Sequence, residues 1–150
     1  MSEVFFYHMT ETTLDEALPG LVEKSIGRGW RAVIQTGGAQ KRDFLDGYLW
    51  TYRADSFVAH ACDADERPAD QPVFLTVHPE NPNGAQIRFL VDGAAPPDDL
   101  SGYDRVVLMF DGLDDQALSE ARGHWKALKG GGHTLAYYKQ NSGGGWERAA

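Results

Sequence analysis

Chemistry needs particular residue types brought close together, and the sequence offers three places to look for it. The first is the histidines: His8, His60, His78, His124 and His133. None pairs with another at the spacing that puts two metal ligands on one helix face, and no carboxylate repeat resembles a coordination loop. His60 and Cys62 are neighbours, but proximity in sequence alone does not make a nucleophile and its base. No G-x-S-x-G is present, so the histidines read as structural or surface residues. The second place is QTGGAQ (35–40), where Gly37-Gly38 precede a helical pattern. Such a turn can cradle a phosphate, but the Lys-Ser/Thr of a P-loop is missing, and a tight turn explains it as well. The third is the row Arg122, Trp125, Lys126 and Lys129, at i, i+3, i+4 and i+7 on one helix face. Cations around a tryptophan can hold a carboxylate beside an apolar surface. A solvated helix face with Trp125 at the edge of the core is the alternative.

Charge bears on these choices. The 150-residue chain has a net charge of −8, which opposes attraction of its whole surface to nucleic acid. Residues 1–115 carry 9 Lys+Arg and 20 Asp+Glu, whereas residues 116–150 carry 5 and 2, so a basic segment ends an acidic protein. Cys62 is the single cysteine, which rules out an internal disulfide and a C-x-x-C pair and suits a reducing cytoplasm. No apolar run is long enough to span a membrane, and MSEVFFYHM does not read as a signal peptide.

The elements that must position these residues follow from periodicity. Apolar runs predict strands at 4–9, 31–36, 72–77, 86–91, 104–110 and 133–139. Helical spacing predicts helices over 14–27, about 40–50 and about 116–129. Thr12 or Thr13 is expected to cap the first, Pro19 being tolerated only near its start, and Asp114 or Asp115 to cap the last. On that last helix, Leu113, Ala117, Ala121, His124 and Leu128 are expected to face the sheet. The strands at 72–77 and 86–91 are expected to pair as a hairpin. Residues 63–72 read as an exposed loop and 140–150 as a mobile tail apart from Trp146. Alternating strands and helices predict one α/β domain over residues 1–150, with a largely parallel, mixed sheet covered on both faces. It is Rossmann-like but lacks the glycine-rich first turn, which here is HMTETT. DGYLWTYRADSFVAHA (46–61) stands apart for its density of aromatic residues.

Several blocks in order also resemble the chi subunit family of bacterial DNA polymerase III holoenzyme: FFYHMT (5–10), GRGWRAVI (27–34), LDGYLWTYRADSFVAH (45–60), QPVFLT (71–76), VVLMFDG (106–112), EARGHWKALKGGG (120–132) and LAYYKQNSGGGWE (135–147). The resemblance implies a non-catalytic accessory subunit, with no cofactor and no metal. Its members join the clamp-loader side of the replicase, through the psi subunit or another clamp-loader component, to single-stranded-DNA-binding protein. They do so by binding that protein's acidic C-terminal tail, which ends in phenylalanine, so that contact with DNA is indirect and none with membrane is implied. Carried over by position, Arg122 and Lys126 would meet the carboxylate and aspartates of the tail. Trp50, Phe57 and Trp125 would wall the phenylalanine slot, and Lys129 would add attraction. The sequence departs from the family at Leu118, where a basic residue can stand, and at Ala59, where the S-F-V-P-H block has proline. A small nucleotide-binding enzyme using Gly37-Gly38 is the rival reading, and a direct single-strand binder using aromatic stacking is a third.

Overall fold

The computed structural model describes residues 3–51, 60–62, 73–78, 81, 84–97, 100, 102–143 and 145–149, the side chains of 49–51 and 60–62 excepted. Phe57 and the stretch 63–72 lie outside the described residues. The run EVFFYHM forms β1 (Glu3–Met9), and its alternate side chains enter two different layers. Val4 and Phe6 join one cluster, while Phe5, Tyr7 and Met9 face the other. This period-two division is what a central strand requires when both faces are covered.

Helix α1 (Leu14–Gly27) starts where a reciprocal cap can form. Thr13 Oγ1 accepts from the Glu16 amide at 3.3 Å, and Glu16 Oε1 accepts from the Thr13 amide at 3.1 Å. That pair satisfies two of the amides a helix start leaves without partners. Pro19 lies inside the helix and is buried with Leu18 and Val22. The remaining elements are β2 (Ala32–Gln35), α2 (Ala39–Thr51), β3 (His60–Cys62), β4 (Val73–Thr76), β5 (Ile87–Leu90), β6 (Arg105–Asp111), α3 (Asp115–Gly130), β7 (Thr134–Gln140) and β8 (Trp146–Arg148).

The strands form an eight-stranded sheet in the order β3-β4-β2-β5-β6-β1-β7-β8. Every pairing is parallel except β7 with β8. The sheet is thus largely parallel and mixed, as expected, but its mixed character comes from another place. The expected hairpin of β4 with β5 does not form, because β2 lies between them and pairs parallel with each. Two short apolar strands joined by a turn look alike in sequence whether they pair directly or flank a third. Trp146 does more than anchor a tail. It opens β8, and its ring stacks on Tyr7 at 4.7 Å between centroids.

Helices α1 and α2 share one face, where Leu18, Val22 and Leu45 pack on β2, β4, β5 and β6. Helix α3 covers the other face through Ala121 and the half-buried Ala117, Leu118, Trp125 and Leu128. Its apolar stripe is therefore rotated from the expected one. Leu118 and Trp125 belong to it, while Leu113 precedes the helix and is 76% exposed. On the α3 face, β2 and β5 are filled instead by Arg88, which is fully buried. Its guanidinium donates to Gln35 Oε1, to the Tyr103 hydroxyl and to the His78 carbonyl. A long cationic side chain occupies that space only because fixed acceptors meet its donors.

Candidate functional site

Sheets of this class bind ligands where the chain leaves adjacent parallel strands in opposite directions. Here β1 leads through α1 to β2 on one side, and its neighbour β6 leads through α3 to β7 on the other. A crevice of about 760 Å³ opens at that point. Its walls carry Glu11, Glu16, Asp92, Asp111, Asp114 and Glu120, with Lys41 as a lysine among them. Lys41 is itself held by Asp15 at 2.9 Å. The electrostatics of this crevice oppose a phosphate.

The turn after β1 opposes it more directly. A nucleotide would be received by the amides of that turn. Gln140, at the end of β7, already fills them: its Oε1 accepts from the amides of Thr10, Glu11 and Thr12 at 3.0, 3.0 and 3.2 Å. Its Nε2 donates to Thr12 Oγ1 at 2.8 Å. The Gly37 turn is similarly occupied. A Cβ on Gly37 would lie 2.1 Å from the Asp92 carbonyl oxygen and 3.6 Å from its carboxylate, so glycine is required by close backbone approach. No phosphate-binding role is needed to explain Gly37, and the carboxylate beside it would repel one.

Helix α3 presents the opposite charge. Asp114 caps it, accepting from the amides of Gln116 and Ala117 at 3.0 and 3.3 Å. Arg122, Lys126 and Lys129 are all exposed on it. Among the described residues none of the three has an ion-pair partner. Trp125 sits between them but turns inward. Its ring meets Phe6 edge-on at 5.3 Å and Tyr137 edge-on at 5.9 Å. Of the two sequence interpretations of Trp125, the packing is that of a residue at the edge of the core. Its ring keeps a half-exposed side beside the cations.

Below this helix, His8 Nδ1 and the Tyr137 hydroxyl are hydrogen-bonded at 2.5 Å. Burial lowers the His8 pKa, and the charges of Lys139 and Arg122 lower it further, against an upward pull from Asp111. Burial raises the Tyr137 pKa, with Arg122 acting the other way. Gly112 is small for a reason here, since a Cβ on it would lie 1.9 Å from His8 Nε2. The His8–Tyr137 pair was not anticipated. Its signal was the alternation in TLAYYK (134–139), which sends Leu135, Tyr137 and Lys139 to one face.

The fold does not bring all the expected site residues together. Trp50 lies near the end of α2, whose contacts are with β3, β4 and α1. Helix α3 contacts β6 and β7 on the other face. At about 4.8 Å per strand, the two helices are separated by roughly 20 Å across the sheet. Arg122, Trp125, Lys126 and Lys129 form one surface, and Trp50 belongs to a different region. Among the described residues, no cluster of His, Cys, Asp and Glu is placed to hold a metal. None of their helices is long and apolar enough to cross a membrane.

Comparison with known proteins bears on this pattern of closed nucleotide cradle and open cationic helix. The chain is 25% identical over 160 residues to a protein of Rickettsia prowazekii (strain Madrid E) named "Probable DNA polymerase III subunit chi", covering all of this chain and 93% of that protein. The family described as DNA polymerase III chi subunit, HolC, matches residues 1–136. The chain belongs to the DNA polymerase III chi subunit family.

Proposed function

We propose that this chi subunit is a non-catalytic adaptor of the replicase. In this reading it links the clamp-loader assembly to single-stranded-DNA-binding protein by holding the acidic, phenylalanine-ended tail of that protein. The observation that carries the reading is the exposed row Arg122, Lys126 and Lys129, without ion-pair partners among the described residues, on a chain of net charge −8. Most other cations of the described residues are engaged, such as Lys41 with Asp15, Arg105 with Glu3 and Arg88 with its neutral acceptors. An acidic protein that leaves one helix face cationic is suited to a short acidic peptide and poorly suited to bulk DNA.

Arg122 supplies a planar fork for a carboxylate, Lys126 and Lys129 supply diffuse charge for the aspartates, and the outer side of Trp125 supplies apolar contact. An adaptor also needs a second surface. In this reading that surface serves psi or another clamp-loader component. Contact with DNA is then indirect, and the cytoplasm is the compartment.

Titration with a peptide of the cognate tail tests the proposal. Affinity near micromolar, about −8 kcal/mol, is expected. It should weaken as salt rises through the range where surface charges are screened. Absence of binding at millimolar peptide, with the protein folded, would reject the tail as the ligand.

A further inference from the structure

Helix α3 is not the only source of cations on its side of the molecule. Strand β7 runs directly beneath it, and the pleat sends Leu135, Tyr137 and Lys139 to the α3 face. Register places Lys139 opposite His8 of β1, and His8 is joined to Tyr137 by a hydrogen bond. Tyr137 in turn meets the ring of Trp125. Lys139 is exposed and, like Arg122, has no ion-pair partner among the described residues. Both charges bear on His8, one from the strand and one from the helix. Asp111, the acid that also faces His8, has one carboxylate oxygen engaged by the Leu113 amide at 2.9 Å. The strand end that carries Lys139 is fixed, because Gln140 beside it is tied to the turn after β1.

We propose that Lys139 is a further recognition residue of the peptide site, closing with Arg122 on the terminal carboxylate of an acidic peptide above the Tyr137–His8 pair. This rests on the tail-binding reading and adds to it where the chain end of the ligand sits. A terminal carboxylate has no residue beyond it and can enter the corner between a helix and a strand end. An internal aspartate would have to bring main chain on both sides. Arg122 provides two parallel donors and Lys139 a compact charge from another direction.

Two peptides and two variants separate the possibilities. The peptides are the tail with a free C-terminus and the same tail amidated; the variants are Lys139→Met, which keeps the stem, and Arg122→Ala. Isothermal titration at low salt should show Lys139→Met weakening the free-acid peptide on the order of tenfold. The amidated peptide should bind wild type and Lys139→Met within about twofold of each other, since the lost charge no longer has its partner. Equal losses for both peptides, or no loss for either, would overturn the role of Lys139 while leaving tail binding in place, provided Arg122→Ala still weakens the free-acid peptide. If wild type binds neither peptide, the tail reading fails, and this placement fails with it. Unchanged thermal melting of Lys139→Met would show that the effect is on recognition and not on folding.

Discussion

The crevice at the ends of β1 and β6 and the surface formed by α3 with β7 are neighbours built on the same strands, and they carry opposite charge. In the crevice, the carboxylates of Asp92, Asp111 and Glu120 look onto the position where this architecture ordinarily accepts an anion. On α3, Arg122, Lys126 and Lys129 look outward from a helix whose core side is apolar. The framework of an anion-binding sheet is kept, while its usual cradle is filled by a side chain of the protein itself. On the function proposed above, anion recognition moves to an exposed helix face, where the ligand can be a chain end of any length. A fold therefore predicts where a ligand can bind, and the charges decide whether one is received.

The largest effect expected from disturbing this division is on stability. Gly37→Ala drives a methyl group against the Asp92 carbonyl, where neither backbone segment can yield cheaply. It should cost on the order of 2–4 kcal/mol by urea denaturation, with tail affinity of the folded fraction unchanged. A stable Gly37→Ala would show that the turn has room the structure denies it. Next in size, Arg122→Ala should weaken the tail peptide by about 1–3 kcal/mol while shifting stability by less than about 0.5 kcal/mol. The matching change across the divide, Glu120→Gln, should leave peptide affinity within about 0.5 kcal/mol. Equal losses for the two variants would erase the distinction between the regions.

A subtler effect is expected from pH. The His8 pKa is lowered from its ordinary 6.5 by burial and then by Lys139 and Arg122. A histidine so shifted contributes its stability in full above about pH 6.5 and loses it as pH falls toward the folded value. Melting temperature should therefore fall below that pH. An acidic peptide bound nearby offsets the two cations, so the His8 pKa should rise on binding when followed by NMR. A fall on binding would place the peptide elsewhere. The smallest effect should come from nucleotides: a thermal-shift series with mono- and dinucleotides should leave the melting temperature unmoved. A clear rise would mean that the filled cradle can be emptied.

The parts of this molecule that were legible in its sequence are those set by local rules. Thr12 or Thr13 was expected to cap α1 and Asp114 or Asp115 to cap α3, and Thr13 and Asp114 do so, while the six longest apolar runs became strands. What was misjudged depends on contacts between distant residues. Nothing local to residues 72–91 shows that β2 will insert between β4 and β5. WER became a strand because β7 offered it an edge, although NSGGG before it has the composition of a flexible segment. The site divided in the same way. The spacing of Arg122, Lys126 and Lys129 is helical and could be read directly. That Lys139 would stand beside His8, and that Trp50 would sit across the sheet from both, required the strand order.

The Gln140 side chain has a consequence for the order in which the chain assembles. Its partners, Thr10, Glu11 and Thr12, lie 128 to 130 residues earlier. The connection from β1 to α1 is thus locked by a strand that is synthesised long after it. Such distant closure is slow relative to forming helices and adjacent turns. During folding, the amides of residues 10–12 should remain open to hydrogen exchange until β7 has docked. Pulse labelling should find them among the last to gain protection, although they leave the ribosome well before β7.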